Sequence, residues 1–166
     1  MKKFLPFLSL FLIQTACANE LIALAEPAVA PFVQEEKTDI FKVHPSQEVL
    51  LNALKWVGVK YKLGGNTEDG LDCSGFVRLV FKESLNKELP RTARAMSEVG
   101  KKILKENLSP GDLIFFNTLR RPFSHVGIYL GDNYFLHAPR KGAHVRLEKL
   151  STAYWQKRFN GIRRIF

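Results

Sequence analysis

The stretch Ser124-His125-Val126-Gly127-Ile128-Tyr129-Leu130-Gly131-Asp132-Asn133-Tyr134-Phe135-Leu136-His137-Ala138 decides how this chain is read. Two short apolar runs flank Gly131-Asp132-Asn133, a sequence suited to a hairpin turn. With those three residues as the loop, Leu130 faces Tyr134, Ile128 faces Leu136 and Val126 faces Ala138. These six residues make one coherent apolar surface. A one-residue slip would mix the two faces, so the pattern selects this register. The opposite face then carries His125, Gly127 and Tyr129 against Pro139, His137 and Phe135. His137 lies across from Gly127 and diagonal to His125, at a Cβ separation of roughly 7 Å, and Gly127 has no side chain to obstruct the approach. Two histidines are thus predicted to meet on the face turned away from the apolar set.

Downstream and just upstream of this hairpin, 112–116, 145–147 and 161–165 are short apolar segments bounded by turn residues, and they read as strands. The earlier part of the domain has helical spacing instead. Ser46 can cap a first helix with Glu48 in its first turn, an apolar stripe at Leu50, Ala53, Leu54 and Val57, and Gly58 as its stop. A Gly-rich loop spans 61–71. A second helix is expected from Asp72 or Cys73, with Phe76, Val77, Val80 and Phe81 as its apolar stripe. Thr92 can cap a third, running to Gly100. Helices first and strands later indicate an α+β fold, with N-terminal helices packed on a largely antiparallel sheet of about five or six strands.

Cys73 falls at the start of the second helix, where unpaired amides and the helix dipole favour a thiolate. One thiol beside two histidines is the apparatus of nucleophilic acyl transfer. His125 would hold Cys73 as a thiolate and later protonate the leaving amine, and His137 would fix the tautomer and tilt of His125. The pattern also allows the two histidines to exchange roles. Zinc could use the same residue types, but neither a Cys-x-x-Cys nor a His-Glu-x-x-His element accompanies them. No metal and no cofactor are expected.

The chain has 166 residues, and 25 Lys and Arg against 16 Asp and Glu give it a charge of +9. That length suits one domain with short extensions, and 46% hydrophobic residues exclude wholesale disorder. Two cysteines exclude a disulfide scaffold. Lys2 and Lys3, the uncharged run 4–13 and Ala16-Cys17-Ala18 fit an export signal over residues 1–18, too short to span a bilayer. Two processing routes are open: cleavage after Ala18, or lipidation at Cys17 in a lipoprotein-like setting that has Gln14 where leucine is usual. Either leaves Cys73 as the lone thiol. An exported protein of the periplasm or cell envelope is expected, touching a membrane only through a lipid at Cys17. Residues 19–45 read as a flexible linker and 46–166 as the working domain. Cleavage after Ala18 leaves 23 basic residues against 16 acidic ones, a charge of +7, which favours an anionic partner. Nucleic acid conflicts with export and lacks aromatic residues interleaved in a basic strip.

The segments Asp72-Cys73-Ser74-Gly75-Phe76-Val77, Leu89-Pro90-Arg91-Thr92, Pro110-Gly111-Asp112-Leu113-Ile114-Phe115-Phe116, Ser124 to Tyr129 and Phe135-Leu136-His137-Ala138 together resemble the NlpC/p-sixty family. These are papain-like cysteine peptidases of bacterial cell walls. Within the family the spacing looks most like the single-domain exported type. The resemblance implies a triad of Cys73, His125 and His137. It implies that Tyr61 lines the site, in oxyanion or substrate contact, and that Asp72 and Ser74 help hold the amine of a substrate peptide or orient the site. The amide of Ser74 could also serve the oxyanion. The implied substrate is the stem peptide of peptidoglycan, whose free carboxylates suit a basic protein. Arg120, Arg121, Arg140 and Lys141 fall in loops flanking the histidine strands. A monomer is expected. A thiol acyltransferase or amidase on the same fold and a non-catalytic wall-binding protein are the alternative readings.

Overall fold

The computed structural model describes residues 43–166, and every structural statement below concerns them. The export signal over 1–18, Cys17 and nearly all of the linker lie outside the described residues.

Helix α1 (Pro45–Lys55) starts two residues earlier than expected. Its N-cap is His44, whose Nδ1 accepts from the amide of Ser46, while the side chain of Gln47 accepts from the amide of His44. Pro45 fits the first turn because it has no N–H to leave unpaired. The buried stripe is also rotated. Val49, Asn52 and Ala53 are buried, Trp56 reaches Asn52 Oδ1 with its indole N–H, and Leu54 and Val57 face solvent.

The glycine-rich loop carries a minimal antiparallel ribbon, β1 (Asn66–Thr67) with β2 (Gly70–Leu71), and leads into α2 (Cys73–Leu85). Asp72 caps α2 by accepting from the amide of Gly75 at 2.7 Å. The expected stripe of Phe76, Val77, Val80 and Phe81 is fully buried. Gly75 is a site of close approach: a Cβ there would sit 2.0 Å from the carbonyl oxygen of Gly65. The loop therefore lies directly on the first turn of α2, which brings Tyr61 beside Cys73. Thr92 caps α3 (Ala93–Met96), a single turn that stops well short of Gly100.

The remaining strands are β3 (Lys101–Ile103), β4 (Leu113–Phe116), β5 (His125–Gly131), β6 (Tyr134–His137), β7 (Arg146–Lys149) and β8 (Phe159–Arg164). They form one antiparallel sheet in the order β3-β8-β4-β5-β6-β7. The α+β, papain-like architecture expected from the sequence is the one observed. Several elements were not foreseen, the β1–β2 ribbon among them. Strand β3 is lysine-rich, without apolar alternation, and α4 (Ala153–Gln156) is one turn long.

The hairpin register is right at its centre and wrong at its tip. Ile128 pairs with Leu136 and Tyr129 with Phe135, but Tyr134 pairs with Gly131, across an irregularity at Leu130. Asp132 and Asn133 both have positive φ, 48° and 67°, as a two-residue turn of the I′ kind requires. The tight turn uses two residues where three were expected, and the bulge absorbs the third without flipping the strand faces.

Each face of the sheet has its own core. Leu113, Phe115, Val126, Ile128 and Leu136 pack with the stripes of α1 and α2. On the other face Ile114, Phe116, Phe135, Leu150 and Trp155 cluster. Asp112 ties the strands together from a fully buried position, accepting from Arg164 Nε at 2.7 Å and Nη2 at 2.8 Å and from the amide of Ser109 at 2.9 Å. Its own backbone and that of Gly111 continue the pairing with Tyr129.

Candidate active site

Cys73 is the first residue of α2 and sits partly exposed at the floor of a groove of about 520 Å³. Tyr61 and His125 line the same groove, with Thr118, Leu119 and Ser124 on one side and Lys62, Arg140 and Lys141 among the rest of the lining. Ser124 Oγ accepts from the amides of Thr118 and Leu119, at 3.0 and 3.2 Å, and so pins the loop that forms one bank. Arg121 lines an adjoining depression with Thr92, Ala93, Arg94 and Phe123, while Arg120 turns the loop at φ 54°.

The sulfur meets the sheet at the start of β5, where the amide of Val126 points at it together with the amides of Cys73 and Ser74. The last two make no backbone hydrogen bond, because the first amides of a helix have no carbonyl a turn earlier. They are the donors available for a developing oxyanion beside Sγ.

His125 and His137 meet as the alternation predicted. His125 Nε2 lies 2.7 Å from His137 Nδ1, with the rings at 89°. Gly127 makes this possible, since a Cβ there would lie 2.8 Å from Phe135 Cδ2, 2.9 Å from the carbonyl of Leu136 and 3.2 Å from His137 Cβ. The structure also resolves the order of the pair: His125 opens on the groove, and His137 lies behind it with no exposed surface.

The histidine face turns away from the helices, as expected, but it is not open to water. Trp155 of α4 roofs it, stacked on His125 at 5.7 Å and edge-on to His137 at 5.1 Å, with Phe116 and Phe135 alongside. Behind the pair stands a residue that sequence reasoning missed. Glu148 Oε1 lies 3.4 Å from His137 Nε2 and accepts from Arg146 Nε at 2.8 Å, while Oε2 accepts from the indole N–H of Trp155. In the sequence Glu148 was one acid among charged neighbours, and only its pairing across β6 and β7 would have drawn attention to it.

Burial reverses the expected resting charges. It pushes the Cys73 thiol up to about 11, with the neighbouring charge of Asp72 adding to the rise and the three amides opposing it. It pushes His125 down to about 3, with the neighbouring His137 acting in the same direction and Glu148 against it. Loss of water thus favours the neutral thiol and the neutral imidazole, and works against the helix amides, which favour a thiolate.

Asp72 is nearly saturated. Its oxygens accept from the amides of Gly75 and Gly64, from Ser74 Oγ, and from both terminal nitrogens of Arg91, at 2.6 Å for Nη2 to Oδ2. Arg91 also donates to Ser74 Oγ at 2.9 Å. These contacts hold its carboxyl below the usual range although burial alone would raise it. Asp72 and Ser74 are thus engaged in holding the start of α2. Tyr61 is partly buried, and burial, then the charges of Cys73 and Asp72, keeps its phenol protonated to higher pH than usual. Among the described residues no group of three His, Cys, Asp or Glu could hold a metal ion.

A helix-borne thiol, a strand-borne imidazole and a groove between them are the layout of the papain-like NlpC/P60 fold. The chain belongs to the NlpC/P60 family, whose sequence profile matches residues 58–164. Over 110 residues it is 44% identical to murein DD-endopeptidase MepS/murein LD-carboxypeptidase of Escherichia coli (strain K12), covering 66% of this chain and 57% of that protein. The chain spans little more than half the length of that relative. A probable endopeptidase NlpC homolog of Haemophilus influenzae is 32% identical over 186 residues, covering 99% of each chain. Among solved structures, an NlpC/P60 family protein from Bacillus cereus superimposes with a TM-score of 0.68 at 30% identity, covering 72% of this chain and 39% of that one.

Proposed function

We propose that the protein is a cysteine-type peptidoglycan endopeptidase acting on stem peptides or their cross-links. The observation that carries this reading is the imidazole pair, His125 Nε2 to His137 Nδ1 at 2.7 Å, opening on the groove that holds Cys73. The murein DD-endopeptidase activity named for the Escherichia coli relative supports the substrate class.

In this reading His125 takes the thiol proton as Sγ attacks the amide carbonyl. The tetrahedral oxyanion lies against the amides of Cys73 and Ser74. His125 then returns the proton to the departing amine, leaving a thioester on Cys73. Water, deprotonated by the same imidazole, attacks the thioester, and the acid product and the thiol are released. His137 keeps His125 in orientation. No metal or cofactor has a part in this cycle. Tyr61 borders the acyl site, and Lys62, Arg140 and Lys141 offer charge to the free carboxylates of the stem peptide. Asp72 and the hydroxyl of Ser74 act by seating α2, since their hydrogen bonds are already committed. The domain works in the cell envelope after export, with lipidation at Cys17 as one means of retention, and as a monomer.

The test is digestion of purified peptidoglycan by the protein lacking residues 1–18, with mass analysis of the soluble and insoluble fragments. Conversion of cross-linked dimers to monomers, or shortening of stems, is expected. No new free amine or carboxyl group would overturn the proposal. Transfer of the acyl group to an added amine in place of water would favour an acyltransferase.

A further inference from the structure

His137 Nε2 is fully buried, and it lacks a well-aligned hydrogen bond in the resting geometry. A buried polar nitrogen without a partner is costly and calls for an explanation. The nearest candidate is Glu148 Oε1 at 3.4 Å, a small adjustment from bonding distance. The groups that face the pair are few. Arg146 and Glu148 come from β7, and Trp155 from α4 covers the rings.

The direction of the hydrogen bond between the histidines decides whether His125 can act as a base. Two neutral imidazoles share one proton across Nε2 and Nδ1. If His125 Nε2 donates, its Nδ1 keeps a lone pair for the thiol. If His137 Nδ1 donates, His125 carries its proton on Nδ1 and cannot accept another there. Nothing in the pair itself selects between these two states. Glu148 does, because a carboxylate can only accept. It requires a proton on His137 Nε2, hence a lone pair on His137 Nδ1, hence a proton on His125 Nε2.

We propose that Glu148 is a positioning residue that polarises the two-histidine chain, so that His125 presents a bare Nδ1 toward Cys73. This rests on the reading of Cys73 and His125 as the working pair. The nearby His137 and hydrogen bonds from Arg146 and Trp155 hold the Glu148 carboxyl down to about 2, so it is ionised at neutral pH.

The experiment is ¹⁵N spectroscopy of the histidine-labelled protein, joined to kinetics on soluble muropeptides. In the wild type, His137 is expected to carry its proton on Nε2 and a bare Nδ1. In E148Q the buried Trp155 indole keeps the amide oxygen, and the exposed Arg146 swings aside. The amide NH₂ then faces His137 Nε2 and donates. The nitrogen pattern of His137 inverts, and kcat falls at least about tenfold with KM within about twofold, as for loss of a group that orients a reacting ligand. E148D keeps an acceptor, so it retains the wild-type pattern and recovers most of kcat. A wild-type His137 protonated on Nδ1, or an E148Q protein with unchanged pattern and kcat, would overturn the proposal. The wild-type pattern decides by itself should E148Q not fold. A wild type inert on peptidoglycan would sink the endopeptidase reading yet leave the nitrogen pattern to be read.

Discussion

Arg91 Nη2 lies 2.6 Å from Asp72 Oδ2 and Nη1 lies 3.1 Å from Oδ1, so one guanidinium clamps both oxygens of the carboxylate that caps the helix of Cys73. The clamp joins the segment before α3 to the first turn of α2, and its third contact, to Ser74 Oγ, reaches past the sulfur.

Removing the clamp should cost stability. R91A leaves a mostly buried carboxylate without its counter-charge, and about 2 kcal/mol is expected, below the cost of breaking a fully buried pair because Arg91 is partly exposed. R91K should recover only part of it, since an ammonium cannot bind two oxygens in parallel. Urea unfolding followed by circular dichroism measures both, and equal stability of R91A and wild type would refute the role.

The thiol and the rear histidine should fail differently. C73A should lower muropeptide release by at least about 10³-fold with an unchanged melting curve, because it removes the atom that attacks the carbonyl. H137A should retain activity at about 10–100-fold below wild type, since orientation is only part of the rate. A fully active C73A would remove Cys73 from the mechanism, and a fully active H137A would remove His137.

The buried, neutral pair has consequences for pH. Unfolded, His125 protonates near 6.5, and folded it does so only near 3. Between these values the unfolded chain binds a proton that the folded chain does not, so stability must fall as pH drops through that window. Glu148 adds the same sign from 4.5 down to about 2, because its folded carboxylate is favoured. The melting temperature should therefore decline steadily from pH 7 to pH 4, and less steeply in H125Q. For the free thiol, iodoacetamide should modify Cys73 slowly at pH 7 and faster as pH rises toward 11. Rapid, pH-independent alkylation between pH 6 and 8 would show a resting thiolate instead.

Gly127 permits the histidine contact, and a methyl group there should disturb it. The 2.9 Å approach of the added Cβ to the Leu136 carbonyl is to backbone, so strand β5 or β6 must shift. G127A is expected to lose about 1–3 kcal/mol, typical of overpacking, and to lose activity beyond what partial unfolding explains. Thermal melts paired with initial rates separate the two, and wild-type values in both would contradict the close approach.

Much of this site follows from local pattern. Alternation along 124–138 put His125 and His137 on one face, and the stripe of Phe76, Val77, Val80 and Phe81 placed Cys73 at a helix start, because side-chain periodicity is set by the backbone of each element alone. The hairpin tip was misread because turn length depends on which residues take positive φ, and the alternation is silent on that. The packing of separate segments is a tertiary matter. Trp155 roofs the histidines from a one-turn helix with no periodic signal, and Glu148 reaches His137 only through the pairing of β6 with β7. That packing excludes water from the imidazoles, and exclusion of water, which no stretch of sequence specifies by itself, is what holds them toward the neutral form.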